Sequence, residues 1–151
     1  MRVHVAASAV LFMMVALVSA PWLRSADMEV PHFNSAPPAK SDKLPPILTK
    51  DQLWGNNATH PYQIHAYELA AKIPKVLYQQ PCYCHCDRSM GHNSLRSCFS
   101  GMHGAQCTTC MQELYYTYTM YKKGKTPRQI RTGIIKGDWQ SIDLDKVLSI
   151  D

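Results

Sequence analysis

Cys107-Thr108-Thr109-Cys110-Met111-Gln112-Glu113-Leu114 opens the stretch that decides the fold, which runs on through Tyr118 and Tyr121 to Gly124-Lys125-Thr126-Pro127-Arg128-Gln129. Cys107, Cys110, Met111, Leu114, Tyr118 and Tyr121 recur at the spacing that lines up side chains on one stripe of an α-helix. Gly124 ends that helix, because glycine accepts the left-handed backbone of a helix C-terminus. Thr126, with Pro127 next and Gln129 three residues on, forms a capping box that starts a second helix. Ile130, Ile134 and Ile135 give this helix its apolar stripe, and Gly137 closes it before Trp139. Two helices joined by so short a turn should pack as a helical hairpin.

Working towards the N-terminus, Thr59-His60-Pro61 starts a further helix, with Thr59 as the cap and Ala66, Leu69, Ala70 and Ile73 at helical spacing. Pro74 should stop it. Val76-Leu77-Tyr78 reads as extended or looped, and a Cys-rich window follows from Pro81 to Cys110. The fold class expected is mostly α. A small domain over residues 51–151 would combine the hairpin and one more helix with an irregular Cys-rich lobe. Residues 27–50 carry Pro31, Pro37-Pro38 and Pro45-Pro46, the composition of an extended linker or of a strap lying on the domain. Residues 1–26 read as a signal peptide or an N-terminal membrane anchor. A short basic start precedes an uncharged run from Val5 to Leu23, about 28 Å long as a helix and just enough to span a bilayer.

The composition sets further bounds. Charged residues make up 18% of the 151 and the apolar set 46%, which argues against a wholly disordered chain. An extracytoplasmic location, periplasmic or secreted, is expected from the N-terminus, with membrane anchoring through residues 5–23 as one form of it. Lys122, Lys123, Lys125, Arg128, Arg131 and Lys136 come with no acid between them. They are read as a solvated corner near a helix end rather than a docking patch. No nucleic-acid partner is expected of an exported chain, and no protein partner is indicated. Asn57-Ala58-Thr59 fits the glycosylation pattern. Phosphate loops, nucleophile elbows and H-E-x-x-H are absent, so nothing points to a hydrolase.

The chemistry lies in the Cys window. All six cysteines fall there: Cys82, Cys84 and Cys86, then Cys98, then Cys107 and Cys110, with His85, His92 and His103 among them. Alternate residues of an extended strand are about 6.6 Å apart. Sulfurs on one tetrahedral ion sit roughly 3.7 Å apart, so the triplet must bend if all three are to share an ion. The candidate ligands are Cys82, Cys84, Cys86, Cys98, Cys107 and Cys110, joined by His103 and His85. Their softness suits zinc, copper or an iron–sulfur cluster, in one site or several. Two other readings stay open. Cys107 and Cys110 form a C-x-x-C at a helix start, where the backbone amides favour a thiolate, so thiol–disulfide exchange with Cys107 as nucleophile and Cys110 as resolver is one. A non-catalytic scaffold of three disulfides is the other, with fifteen pairings open. Within the triplet a bond between cysteines two apart would be strained. A metal-binding rather than enzymatic role is the leading expectation.

Pro81-Cys82-Tyr83-Cys84-His85-Cys86 resembles the signature of the PCYCGC-motif family, exported bacterial proteins of unknown function. The resemblance extends through Cys98, His103 and the Cys107–Cys110 pair, and on to Gly124-Lys125-Thr126-Pro127 and Trp139. It implies an extracytoplasmic Cys-rich domain and carries no established activity. The chain departs from the motif at His85, where the pattern has glycine, and it lacks the lipid-bearing cysteine of the family's lipoproteins. A fainter similarity is to the thiol subunit of cytochrome c maturation systems. There a C-x-x-C leads a helical hairpin, and Cys107, Cys110, Gly124, Thr126, Ile130 and Arg131 sit comparably. The C-x-C-x-C triplet has no counterpart in that family. No haem-attachment sequence occurs, since Met111 follows Cys110.

Overall fold

The structure is a computed structural model that describes residues 29–53 and 58–151. The apolar run Val5–Leu23 and Asn57 lie outside the described residues. Among these residues the chain is helical and contains no strand, and no helix is long and apolar enough to cross a membrane. The longer helices are α1 (Pro61–Lys72), α6 (Thr108–Lys122) and α7 (Pro127–Lys136). Four short ones lie between: α2 (Pro74–Leu77), α3 (Cys86–Met90), α4 (Leu95–Phe99) and α5 (His103–Gln106). Two 3-10 turns, Asp138–Ser141 and Leu144–Ser149, finish the chain.

Helix α6 is the axis of the molecule. It touches α1, α2, α4, α5, α7 and both C-terminal turns. A helix covered on so many sides buries more than a stripe. Cys110, Met111, Leu114 and Tyr118 are buried as the spacing predicts, but so are Glu113, Tyr115, Tyr116 and Thr117. Tyr121 departs from the expectation: it is exposed, at the rim of an open depression it shares with Lys72, Ile73 and Val76. Ile135 is exposed too, leaving Ile130 and Ile134 to bury the inner face of α7. That face sits very close to α6. A Cβ added at Gly133 would lie 1.8 Å from the Tyr116 hydroxyl oxygen, so only glycine allows the contact.

The local signals at the helix ends hold with two shifts. Thr126 caps α7 through its box with Gln129, and Gly137 closes it at φ 82°. The cap of α1 is His60 rather than Thr59. Its backbone N–H donates to Gln63 Oε1 at 2.7 Å, a bond that the Thr59 position does not make. Pro74 does end α1, but Val76 and Leu77 then form α2 instead of a loop, since Pro74 is well suited to a first helical turn. Helix α1 is fastened to the window by Tyr67, whose hydroxyl donates to Gly101 O (2.6 Å) and accepts from the Ala105 N–H (3.0 Å).

Residues 29–53 lie along the Cys-rich lobe. Leu48 N–H donates to Phe99 O at 3.0 Å, and the buried Arg96 donates to Pro45 O at 2.5 Å. Asn34 Nδ2 donates to Tyr78 O and Asn93 O. Phe33 is covered by the Arg131 guanidinium, 4.4 Å from the ring centroid, which removes Arg131 from the basic corner. Lys122, Lys123, Lys125, Arg128 and Lys136 remain exposed.

Candidate metal centre

The C-x-C-x-C triplet bends where it must. Tyr83 and Cys84 form a turn, His85 N–H donates to Cys82 O at 3.1 Å, and Cys86 starts α3. The turn requires a left-handed residue, which is His85 at φ 54° and ψ 32°. It is the non-glycine residue of the described chain with positive φ. This is the position at which the motif has glycine, and glycine adopts that backbone without the Cβ penalty.

Bending the triplet brings its sulfurs against those of two other elements. Cys82 Sγ lies 3.3 Å from Cys84 Sγ and 3.4 Å from Cys110 Sγ, at the start of α6. Cys84 Sγ lies 3.6 Å from Cys110 Sγ and 3.4 Å from His103 Nε2, which α5 presents. Cys86 Sγ lies 3.4 Å from Cys98 Sγ, on α4. The donor atoms of Cys82, Cys84, Cys86 and Cys98 are all within 4.8 Å of one another, and so are those of Cys84, Cys98, His103 and Cys110. Cysteines and a histidine are thus clustered within metal-binding distance. Cys82, Cys86, Cys98 and Cys110 are buried, whereas Cys84, Cys107 and His103 are partly exposed. All six cysteines are free thiols. These sulfur separations far exceed a disulfide bond of about 2.05 Å and come near the roughly 3.7 Å of sulfurs on one tetrahedral ion.

Two candidates stand apart. Cys107, the residue before α6, interacts with Cys84 and Cys110 but belongs to neither four-donor group. His85 also belongs to neither group. Its ring meets Tyr83 edge-on at 6.1 Å and lines a depression with Trp139 and Ile134, on the α7 side. The bend that turns Cys84 and Cys86 towards one another turns the residue between them away.

The thiols share protons unequally. Hydrogen bonds from Cys107 and Cys110, then from Cys82 and Cys86, hold Cys84 far below the usual thiol range. Cys110 is pushed far up, by Cys107, then by Cys82, Cys84 and Cys98, and by burial. For Cys107 the hydrogen bond to Cys110 lowers the pKa, but Cys84 and burial outweigh it and the thiol ends above its ordinary value.

Two supporting residues carried little signal in the sequence. His92 Nδ1 lies 3.4 Å from Cys98 Sγ, and its ring packs edge-on against His103 with centroids 5.5 Å apart. Burial, then the neighbouring His103, lowers its pKa. Glu113 is fully buried, and its Oε1 accepts the Tyr83 N–H at 2.8 Å. Burial pushes its carboxyl up to about 8, against opposing hydrogen bonds from Cys82 and the Tyr83 amide. A glutamate three residues after Cys110 falls on the same helical face as that cysteine, which is the one signal that could have found it. Gly104 fits the chain under His103: an added Cβ would meet Phe99 Cδ1 at 2.9 Å and Cys98 O at 3.0 Å.

Fold and site together define a small, mostly helical, Cys-rich domain built around a thiol cluster. The chain belongs to the family described as protein of unknown function with PCYCGC motif, whose model matches residues 39–140, from within the Pro-rich stretch to just past Trp139. No curated protein and no solved structure matches the chain.

Proposed function

We propose that this chain is an extracytoplasmic metal-binding protein that holds its metal through the thiols of the bent triplet, Cys98 and Cys110, with His103. The observation that carries the reading is the convergence of these donors, from four separate elements, within 4.8 Å in overlapping groups. Burying that many thiols side by side gains little unless something binds them, because thiol hydrogen bonds are weak. A thiophilic ion replaces those bonds with metal–sulfur bonds and ties α3, α4, α5 and α6 together, so that binding free energy becomes folding free energy. The basic start and the uncharged run Val5–Leu23 support export, with or without retention as an anchor.

Thiol exchange is the second reading. What favours it is Cys107, partly exposed before α6 with the buried Cys110 one turn on. Its raised pKa weighs against it, since the thiolate is the attacking species.

The test is metal content by mass spectrometry together with a count of free thiols under denaturation, on protein purified from its native compartment. Bound metal with protected, reduced thiols is expected. Absence of metal with all six cysteines in disulfides would overturn the proposal in favour of a stapled scaffold.

A further inference from the structure

The donors fall into two overlapping groups of four. They have two members in common, Cys84 and Cys98. Cys82 and Cys86 complete one group, and His103 and Cys110 complete the other. A four-coordinate ion uses four donors, so a single ion would leave two of the six buried or half-buried donors idle. Resting on the metal-binding reading above, we infer that the cluster holds two divalent thiophilic ions, with the Cys84 and Cys98 sulfurs bridging them. Each ion then has a complete tetrahedral set, and the two tetrahedra meet along the Cys84–Cys98 edge.

Separations support the pair, and charge favours divalent ions for it. The hydrogen-bonded contacts within the groups, 3.3 to 3.6 Å, approach the edge of a metal–thiolate tetrahedron, about 3.7 Å. Five thiols that ligate release their protons to solvent and leave five negative charges. Two divalent ions reduce that to a net charge of about −1, whereas two monovalent ions leave about −3. In a pocket whose cysteines are mostly buried, beside the buried Glu113, the smaller residual charge is favoured. Thiolate sulfur has the lone pairs to bridge; imidazole and the terminal thiolates need not. The shared positions also sit suitably: Cys84 is within 3.6 Å of Cys82, Cys110 and His103, and Cys98 within 3.4 Å of Cys86.

Zinc titrated into the reduced, metal-free full chain against a chromophoric chelator tests this. Two zinc ions per chain are expected, and cobalt(II) in their place should show intense thiolate-to-cobalt charge transfer. Cys86→Ser and His103→Ala should each retain one zinc, and Cys84→Ser should hold neither against the chelator. One zinc in the unaltered chain would overturn the paired site while leaving the metal-binding function standing. No zinc would overturn both. Two zinc ions retained by Cys84→Ser would overturn the bridge.

Discussion

Glu113 holds the thiol turn from inside the molecule: its Oε1 accepts the backbone N–H of Tyr83 at 2.8 Å, while Oε2 is buried without a hydrogen-bond partner. The carboxyl is pushed up from an ordinary value of 4.5 to about 8, first by burial. The folded chain therefore keeps a proton that the unfolded chain loses above about 4.5. The stabilisation is complete below that pH and disappears as pH rises through about 8. Glu113→Gln keeps an acceptor for Tyr83 and cannot ionise. Urea unfolding of the metal-free protein at pH 5 and pH 8 should show a smaller loss for the Gln variant than for the parent. Equal losses would mean that Glu113 ionises freely in the fold.

His85 sits in a left-handed backbone that glycine adopts without strain. His85→Gly should raise stability by roughly 0.5–1 kcal/mol, the αL penalty less the added chain entropy of glycine. Thermal melts measure this. Zinc stoichiometry should stay unchanged, because His85 belongs to neither donor group. Loss of an ion from His85→Gly would make the histidine a ligand after all.

Gly133→Ala places a methyl group on the Tyr116 hydroxyl and near Asp138 Oδ2. Overpacking of this kind costs roughly 1–3 kcal/mol. Adding Tyr116→Phe removes the nearest atom and should restore part of the loss, as a double-mutant cycle in urea would read out. Additive effects of the two changes would show that α7 shifts to avoid the clash.

Metal-free protein exposed to mild oxidant should form Cys86–Cys98 and Cys82–Cys110 bridges, whose sulfurs already lie 3.4 Å apart. Peptide mapping identifies the pairs, and zinc loading should suppress both. A dominant Cys107–Cys110 bridge would instead favour thiol exchange.

The helical frame was legible because its signals are local. The Thr126–Gln129 box, Gly124, Gly137 and Pro74 each fix a helix end through backbone chemistry that needs no distant partner. The window was legible in composition alone. Sequence names six thiols, but the left-handed turn at His85 and the amide anchor from Glu113 decide which of them meet, and both are tertiary facts. Tyr121 and Ile135 matched the apolar stripes and yet face water, because periodicity marks a face without saying where the neighbouring element stops. Sequence placed His92 in the window without a partner, and α3 and α4 fold it against Cys98 and His103. The extended stretch from Glu29 carried a composition that fits linker and strap equally, and the difference lies in acceptors such as Asn93 O that another part of the chain supplies.

That strap covers part of the sulfur nest and leaves part of it exposed. Pro31 and His32 lie against Cys82 and Cys86, with His32 N–H bonded to Asp87 Oδ2 at 3.0 Å and Nδ1 2.8 Å from Asn93 O. Cys84, His103 and Cys107 are the partly exposed members of the nest. A metal or a chelator that reached the cluster from solvent would meet these partly exposed atoms before the buried sulfurs.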